Sequence, residues 1–217
     1  MLGEVVEISL RSLYVSSTAT LIGLAWSLPL AYMLASSRSR AARLAVTAAN
    51  ALVSVPTVVV GLALYMALSR RGPLGFTGLL YTPQAIALGE SLLITPLLVS
   101  LFHEVFSEYR SRYWELAVTL GATQGQAAIL VAREALPRLL TATLIGFGRA
   151  IGELGVALMV GGNIKGYTRV ITTAIALEVS KGEFETAIVL GAVLLSLVVG
   201  VVAAARILNR VMGADIG

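Results

Sequence analysis

The chain has 217 residues, 57% of them hydrophobic and 13% charged, where a soluble domain carries about a quarter charged residues; the composition is that of an integral membrane protein. With no cysteine and a single histidine, His103, disulfides, thiolate metal sites, thiol catalysis and multi-histidine metal centres are excluded. The net charge of +4 does not point to nucleic acid, because the basic residues sit where helix ends are expected.

About 20 apolar residues cross a bilayer core, and the hydropathy pattern predicts an all-α protein with five such spans forming a single transmembrane domain. The N-terminal stretch carries Glu4 and Glu7 before any apolar run, which does not read as a removable signal peptide. Span one is Leu13–Ala35, followed by the short basic loop Ser36–Arg43. Span two is Leu44–Leu68, with Pro56 as a tolerable kink. Ser69–Pro83 is a Gly- and Pro-rich loop. Span three is Gln84–Phe102, carrying Glu90 and Pro96. Span four is Arg138–Val160, carrying Arg149 and Glu153. Gly161–Glu185 is a polar connection with a short amphipathic run, Val170–Val179, and span five is Thr186–Ala205.

Between spans three and four, residues 104–137 are too charged to cross lipid: Glu104, Glu108, Arg110, Arg112, Glu115, Arg133 and Glu134 fall within them. Tyr113, Leu116, Ala117 and Leu120 recur at helical spacing and give a short apolar face. Gly121 ends that helix, since a residue without Cβ takes the left-handed conformation that turns the chain. A second amphipathic run, Ala127–Ala135, leads to Pro137, read as a first-turn residue of the next helix. With this loop in the cytoplasm, Arg38, Arg40, Arg43, Arg110, Arg112, Arg133, Arg138, Arg206 and Arg210 lie inside; Arg11, Arg70, Arg71, Lys165, Arg169 and Lys181 lie outside. The excess of inner arginines predicts an N-terminus outside and a C-terminus inside, in a multi-pass cell-membrane protein.

Ionisable side chains within spans are costly and mark functional sites. Arg149 and Glu153 are four apart and can pair. Two roles fit them: a structural or gating ion pair, or an arginine lining an anion's path with Glu153 holding its guanidinium. Glu90 either pairs with Arg149 or faces a water-filled cavity. Gly148, Gly152 and Gly155 read as a small-residue packing stripe, not a dinucleotide fingerprint. The turn Gly161–Gly166, with Asn163 in it and Lys165 and Arg169 near, reverses the chain and offers backbone amides to an anion. The chain holds no GxxxxGK[ST] phosphate loop.

Glu115-Leu116-Ala117, three residues, then Gly121 and later Leu136-Pro137 resembles the EAA loop of ABC importer permease subunits, with Leu116 in place of an alanine and a longer second half. Gly148-Arg149-Ala150-Ile151-Gly152-Glu153-Leu154-Gly155, Met159-Val160-Gly161-Gly162-Asn163-Ile164 and Thr168-Arg169-Val170-Ile171-Thr172-Thr173-Ala174-Ile175 are similar to the oxyanion group of those permeases, closest to the tungstate permeases. The resemblance implies a type I ABC importer permease fold working as a homodimer with an ATPase subunit and an external substrate-binding protein. It implies no cofactor in this chain, with ATP and Mg on the partner subunit, and no enzymatic activity of its own. Tyr113, Glu115, Leu116, Ala117, Leu120, Gly121 and Ala122 are the implied coupling residues. Glu90, Arg149, Glu153 and Asn163 are the implied path or gate residues. Molybdate and sulfate permeases of the same group are alternatives. A stand-alone channel or secondary transporter, with Glu90, Arg149 and Glu153 as an ion relay, is the alternative from another class.

Overall fold

In the computed structural model, which describes residues 2–211, the chain is a run of helices. They are α1 (Leu2–Ser36), α2 (Arg40–Leu52), α3 (Thr57–Leu68), α4 (Pro83–Thr119), α5 (Gln124–Ile151), α6 (Gly155–Gly161), α7 (Ile171–Lys181) and α8 (Phe184–Val211), with a 3-10 turn at Gly75–Thr77. Among the described residues three helices are long and apolar enough to cross a membrane, or up to five spans if each of two bent pairs is one.

Helix α4 is the axis of the fold. Thr82 accepts from the Ala85 amide and Pro83 opens the first turn, where its missing N–H costs nothing. Ala85, Ile86 and Ala87 pack into a cluster with Val15, Leu68, Val156 and Val160 from α1, α3 and α6. Further along, Ile94, Leu98, Phe102 and Phe106 pack with Ala31 of α1 and with Val131, Ala135 and Leu139 of α5. A smaller cluster joins Val5 and Ile8 of α1 to Ile171, Ala174 and Leu190 of α7 and α8.

Several expected boundaries move. Span two is not one kinked helix: α2 and α3 meet at an angle of 102°. Proline has no N–H and pushes its predecessor out of the helical region, so α2 ends at Leu52 and α3 restarts after Pro56. At 1.5 Å per residue, the 12 residues of α3 extend about 18 Å, short of the ~30 Å hydrocarbon core. Span four is also broken: α5 and α6 meet at 58° across Gly152–Leu154. Pro137, expected in a first turn, lies inside α5. That helix starts earlier because Thr123 and Gln126 form a reciprocal capping box, and Ala127, Val131 and Ala135 supply a buried face. Helix α1 begins at Leu2 rather than Leu13, because its charged first turns find partners. Arg11 pairs with Glu7 and donates to the Arg169 carbonyl at 3.0 Å.

The glycine stripe is only partly realised. A Cβ on Gly155 would lie 2.7 Å from Thr57 Oγ1, and one on Gly146 2.6 Å from Leu98 Cδ2, so both permit close approach. Gly148 has nothing within 4 Å of that position and Gly152 only a backbone oxygen at 3.6 Å.

Candidate functional site

Two regions carry the chemistry, and α4 belongs to both. The first is the hairpin tip between α4 and α5. The 37 residues of α4 extend about 55 Å, well beyond the ~30 Å hydrocarbon core. The charged segment is therefore not a separate loop helix but the protruding end of span three. Leu120 caps it, its amide donating to the Leu116 and Val118 carbonyls, and Gly121 follows at φ +89° as the left-handed residue the turn requires.

The apolar face expected around the turn divides in two. Ala117 is buried, and Tyr113 packs on the α4–α5 core, its ring 5.8 Å from that of Tyr109. Leu116 and Leu120 point outward, Leu120 being 79% exposed; Val118, on the side of α4 that faces the end of α1, and Ile129 of α5 are exposed too. Sequence reasoning missed Ile129, although it is the apolar residue left over once Ala127 and Val131 are assigned inward. Glu115 is exposed and Ala122 half-buried, its amide donating to the Ala117 carbonyl at 3.0 Å. Large apolar side chains exposed on a charged, protruding tip mark it as an interaction surface.

The second region lies at the α5–α6 break. Arg149 Nη1 donates to Glu153 Oε2 at 2.8 Å. Sequence spacing placed the two on one helical face, but Glu153 actually occupies the break. Its Oε1 accepts from the Val156 amide at 3.1 Å, starting α6 as a capping side chain does. Its carbonyl accepts from Thr172 Oγ1 of α7 at 2.7 Å. The Glu153 side chain is 2% exposed and that of Arg149 41%, so the pair has a fixed end and a free end.

Glu90 is buried on α4, and its Oε2 has no hydrogen-bond partner. Ser16 of α1 is within hydrogen-bond reach of this carboxyl, and the Arg149–Glu153 pair is within electrostatic range. Within one chain Glu90 therefore neither pairs with Arg149 nor opens to water. Ser12, Ser16 and Thr20 form a buried polar stripe on α1 that sequence reasoning did not single out; their four-residue spacing was the available signal. Ser12 Oγ accepts from the Ile171 amide at 2.8 Å, tying α1 to α7.

Asn163 sits in its turn at φ +51°, beside Gly162 at +69°. Its Oδ1 accepts from Arg169 Nε at 3.2 Å. Glu4 lies 3.0 Å from Lys165 Nζ and 3.6 Å from Arg169 Nη1, so the two cations near the turn are already matched by α1. The structure thus pairs Arg149 with Glu153, with Glu90 buried on the neighbouring α4, and ties Asn163 to Arg169. His103 contacts Ser107 Oγ at 3.4 Å.

Residues 27–213 match the family described as binding-protein-dependent transport system inner membrane components. A tungstate uptake system permease protein of Peptoclostridium acidaminophilum is 45% identical over 88% of this chain and 84% of its own length. A probable anion ABC transporter permease protein of Haloferax volcanii is 40% identical over 96% of this chain and 92% of its own. A molybdenum transport system permease protein of Azotobacter vinelandii is 33% identical over 81% of each. Among solved structures, a chain of the MetNI methionine ABC transporter in inward-facing form superposes with a TM-score of 0.79 at 18% identity, covering 98% of this chain and 97% of that one. The fold is that of an ABC importer permease, and this multi-pass membrane chain belongs to the binding-protein-dependent transport system inner membrane components.

Proposed function

We propose that this chain is the permease of an ATP-driven importer for tungstate, working as two copies with a separate ATPase subunit and an external substrate-binding protein. The observation that carries the substrate is the 45% identity, across most of both chains, to a tungstate uptake permease. The N-terminus lies outside, the hairpin tip and C-terminus inside, and ATP and Mg bind the partner subunit.

Leu116, Leu120 and Ile129 are the apolar anchors that seat in the ATPase subunit, with Glu115 and the arginines around them as the polar rim. Tyr113, Ala117, Gly121 and Ala122 hold those anchors in position. Because α4 is continuous from Pro83 to Thr119, displacement of the tip is delivered along one rod to Glu90. There α4 packs against α6, whose first turn is held by Glu153. Arg149 and Glu153 form the gate. In its resting pairing Glu153 offsets the arginine's charge, and when the helices rock, the exposed guanidinium meets the tetrahedral dianion. Release from the binding protein supplies the substrate, so a tight site in the spans is not required.

The test is accumulation of tungsten by cells lacking their own oxyanion uptake and expressing this chain with its ATPase and binding proteins, in competition with molybdate and sulfate. Tungsten accumulation that resists excess of both is expected. Accumulation of molybdenum or sulfur in preference to tungsten would reassign the substrate within the group.

A further inference from the structure

A cavity of about 740 Å³ lies where the end of α1 meets the protruding part of α4, lined by Ser36, Arg38, Ser107, Arg110, Ser111, Trp114 and Glu115 among others. Glu115 at its edge also belongs to the proposed docking rim, but the cavity itself has no part in the transport mechanism. Its two guanidiniums are unmatched: among the described residues neither Arg38 nor Arg110 is ion-paired. Arg110 lies 3.6 Å over the Trp114 ring, which fixes the guanidinium plane while leaving its N–H edge free to donate. The Ser36 hydroxyl adds a donor beside it, while those of Ser107 and Ser111 are taken up by His103 and by the Glu108 carbonyl.

We propose that this cavity binds a phosphate-ester oxyanion, the head group of an acidic phospholipid. Charge suits the head group: two guanidiniums with one carboxylate, that of Glu115, leave a single positive charge, which a monoanionic phosphodiester neutralises in full. Position agrees. The cavity opens at the C-terminal end of the long apolar α1, beside Tyr109, Tyr113 and Trp114, and aromatic residues of this kind gather at the membrane–water boundary. The basic residues Arg38, Arg40 and Arg43 follow directly, as in juxtamembrane segments that recruit acidic lipids. A head group bridging Arg38, on the connection after α1, to Arg110 on α4 ties α1 to the coupling rod. With the proposed orientation that lipid belongs to the inner leaflet; the chemistry of the site is the same in either.

The full chain, assembled with its ATPase subunit, is placed in nanodiscs of phosphatidylcholine with or without phosphatidylglycerol. Lipid retained on extraction is read by mass spectrometry, and Trp114 emission is read in a Trp26→Phe background. Phosphatidylglycerol is expected to be retained over phosphatidylcholine and to shift Trp114 emission. Arg38→Gln and Arg110→Gln each weaken retention about tenfold, as loss of a charge-assisted hydrogen bond does. Arg206→Gln, a basic change elsewhere on the surface, leaves it unaltered. Inorganic phosphate does not displace the lipid; if it does and binds alone, the source is a free anion and the head-group assignment falls. Equal retention of the two lipids, or retention indifferent to both arginine variants, overturns the site. Should Arg110→Gln not assemble, Arg38→Gln, outside any helix, carries the test alone.

Discussion

Glu153 performs two jobs that substitution separates. Its Oε1 caps α6 through the Val156 amide at 3.1 Å, and its Oε2 holds Arg149 at 2.8 Å. Glu153→Gln keeps the amide oxygen on the cap and removes the charge; Glu153→Ala removes both. Losing a cap costs about 1 kcal/mol. The Arg149 side chain is 41% exposed, so its released charge rehydrates and the pair's own worth stays under ~1 kcal/mol. The alanine variant is therefore less stable by about 1–2 kcal/mol and the glutamine variant by less than 1 kcal/mol. For a chain this long, ~1 kcal/mol moves the midpoint by roughly 2–4 °C. Thermal unfolding of the detergent-purified proteins should thus place alanine about 2–8 °C below wild type and glutamine within about 4 °C, with alanine always lower. Transport should fall in both, because both lose the pairing. Equal destabilisation of the two would refute the capping role, and wild-type transport by the stable glutamine variant would refute the gate.

The remaining predictions concern the tip and the packing glycines. Leu120→Asp places a charge where an apolar anchor is needed, so co-purification with the ATPase subunit should be lost while the permease's own melting point holds. At Gly121 an added Cβ meets no atom within 4 Å, but a valine must adopt φ +89°, a strain of about 1–2 kcal/mol. Gly121→Val should re-aim the tip and uncouple ATP hydrolysis from uptake, and normal coupling would exclude the glycine from that role. A Cβ at Gly89 would lie 2.4 Å from Val156 Cγ1. Gly89→Val should therefore cost about 1–3 kcal/mol through overpacking, seen as a lower melting point, whereas Gly148→Ala, with open space at that position, should not lower it.

Sequence made some of this legible because the causes were local. The turn at Gly121, the pairing of Arg149 with Glu153 and the short helix near Val170–Val179 each follow from a residue type and a spacing. What failed depended on the third dimension. Pro56 signals a helix interruption, yet whether the chain kinks or turns through 102° is set by what α2 and α3 pack against. Pro137 looked like a helix start because nothing in its own neighbourhood reveals that Thr123 and Gln126 already cap the helix upstream. Glu153 looked helical because a capping role becomes visible only when the break at Gly152–Leu154 is seen. Ala117 and Leu116 are adjacent and both apolar; which of them faces the core is decided by α5, which a single helical pattern does not contain.

The central claim is that motion at the hairpin tip, driven by a separate ATPase, opens a path past Arg149 and Glu153. The most direct measurement is tungstate uptake into proteoliposomes holding this chain and the ATPase subunit, with loaded binding protein outside and ATP within, for wild type and Leu120→Asp. Uptake that needs both ATP and binding protein, and that disappears in the variant, is the predicted result. Uptake that proceeds without ATP, or that survives Leu120→Asp undiminished, would contradict the account and favour a channel or secondary transporter.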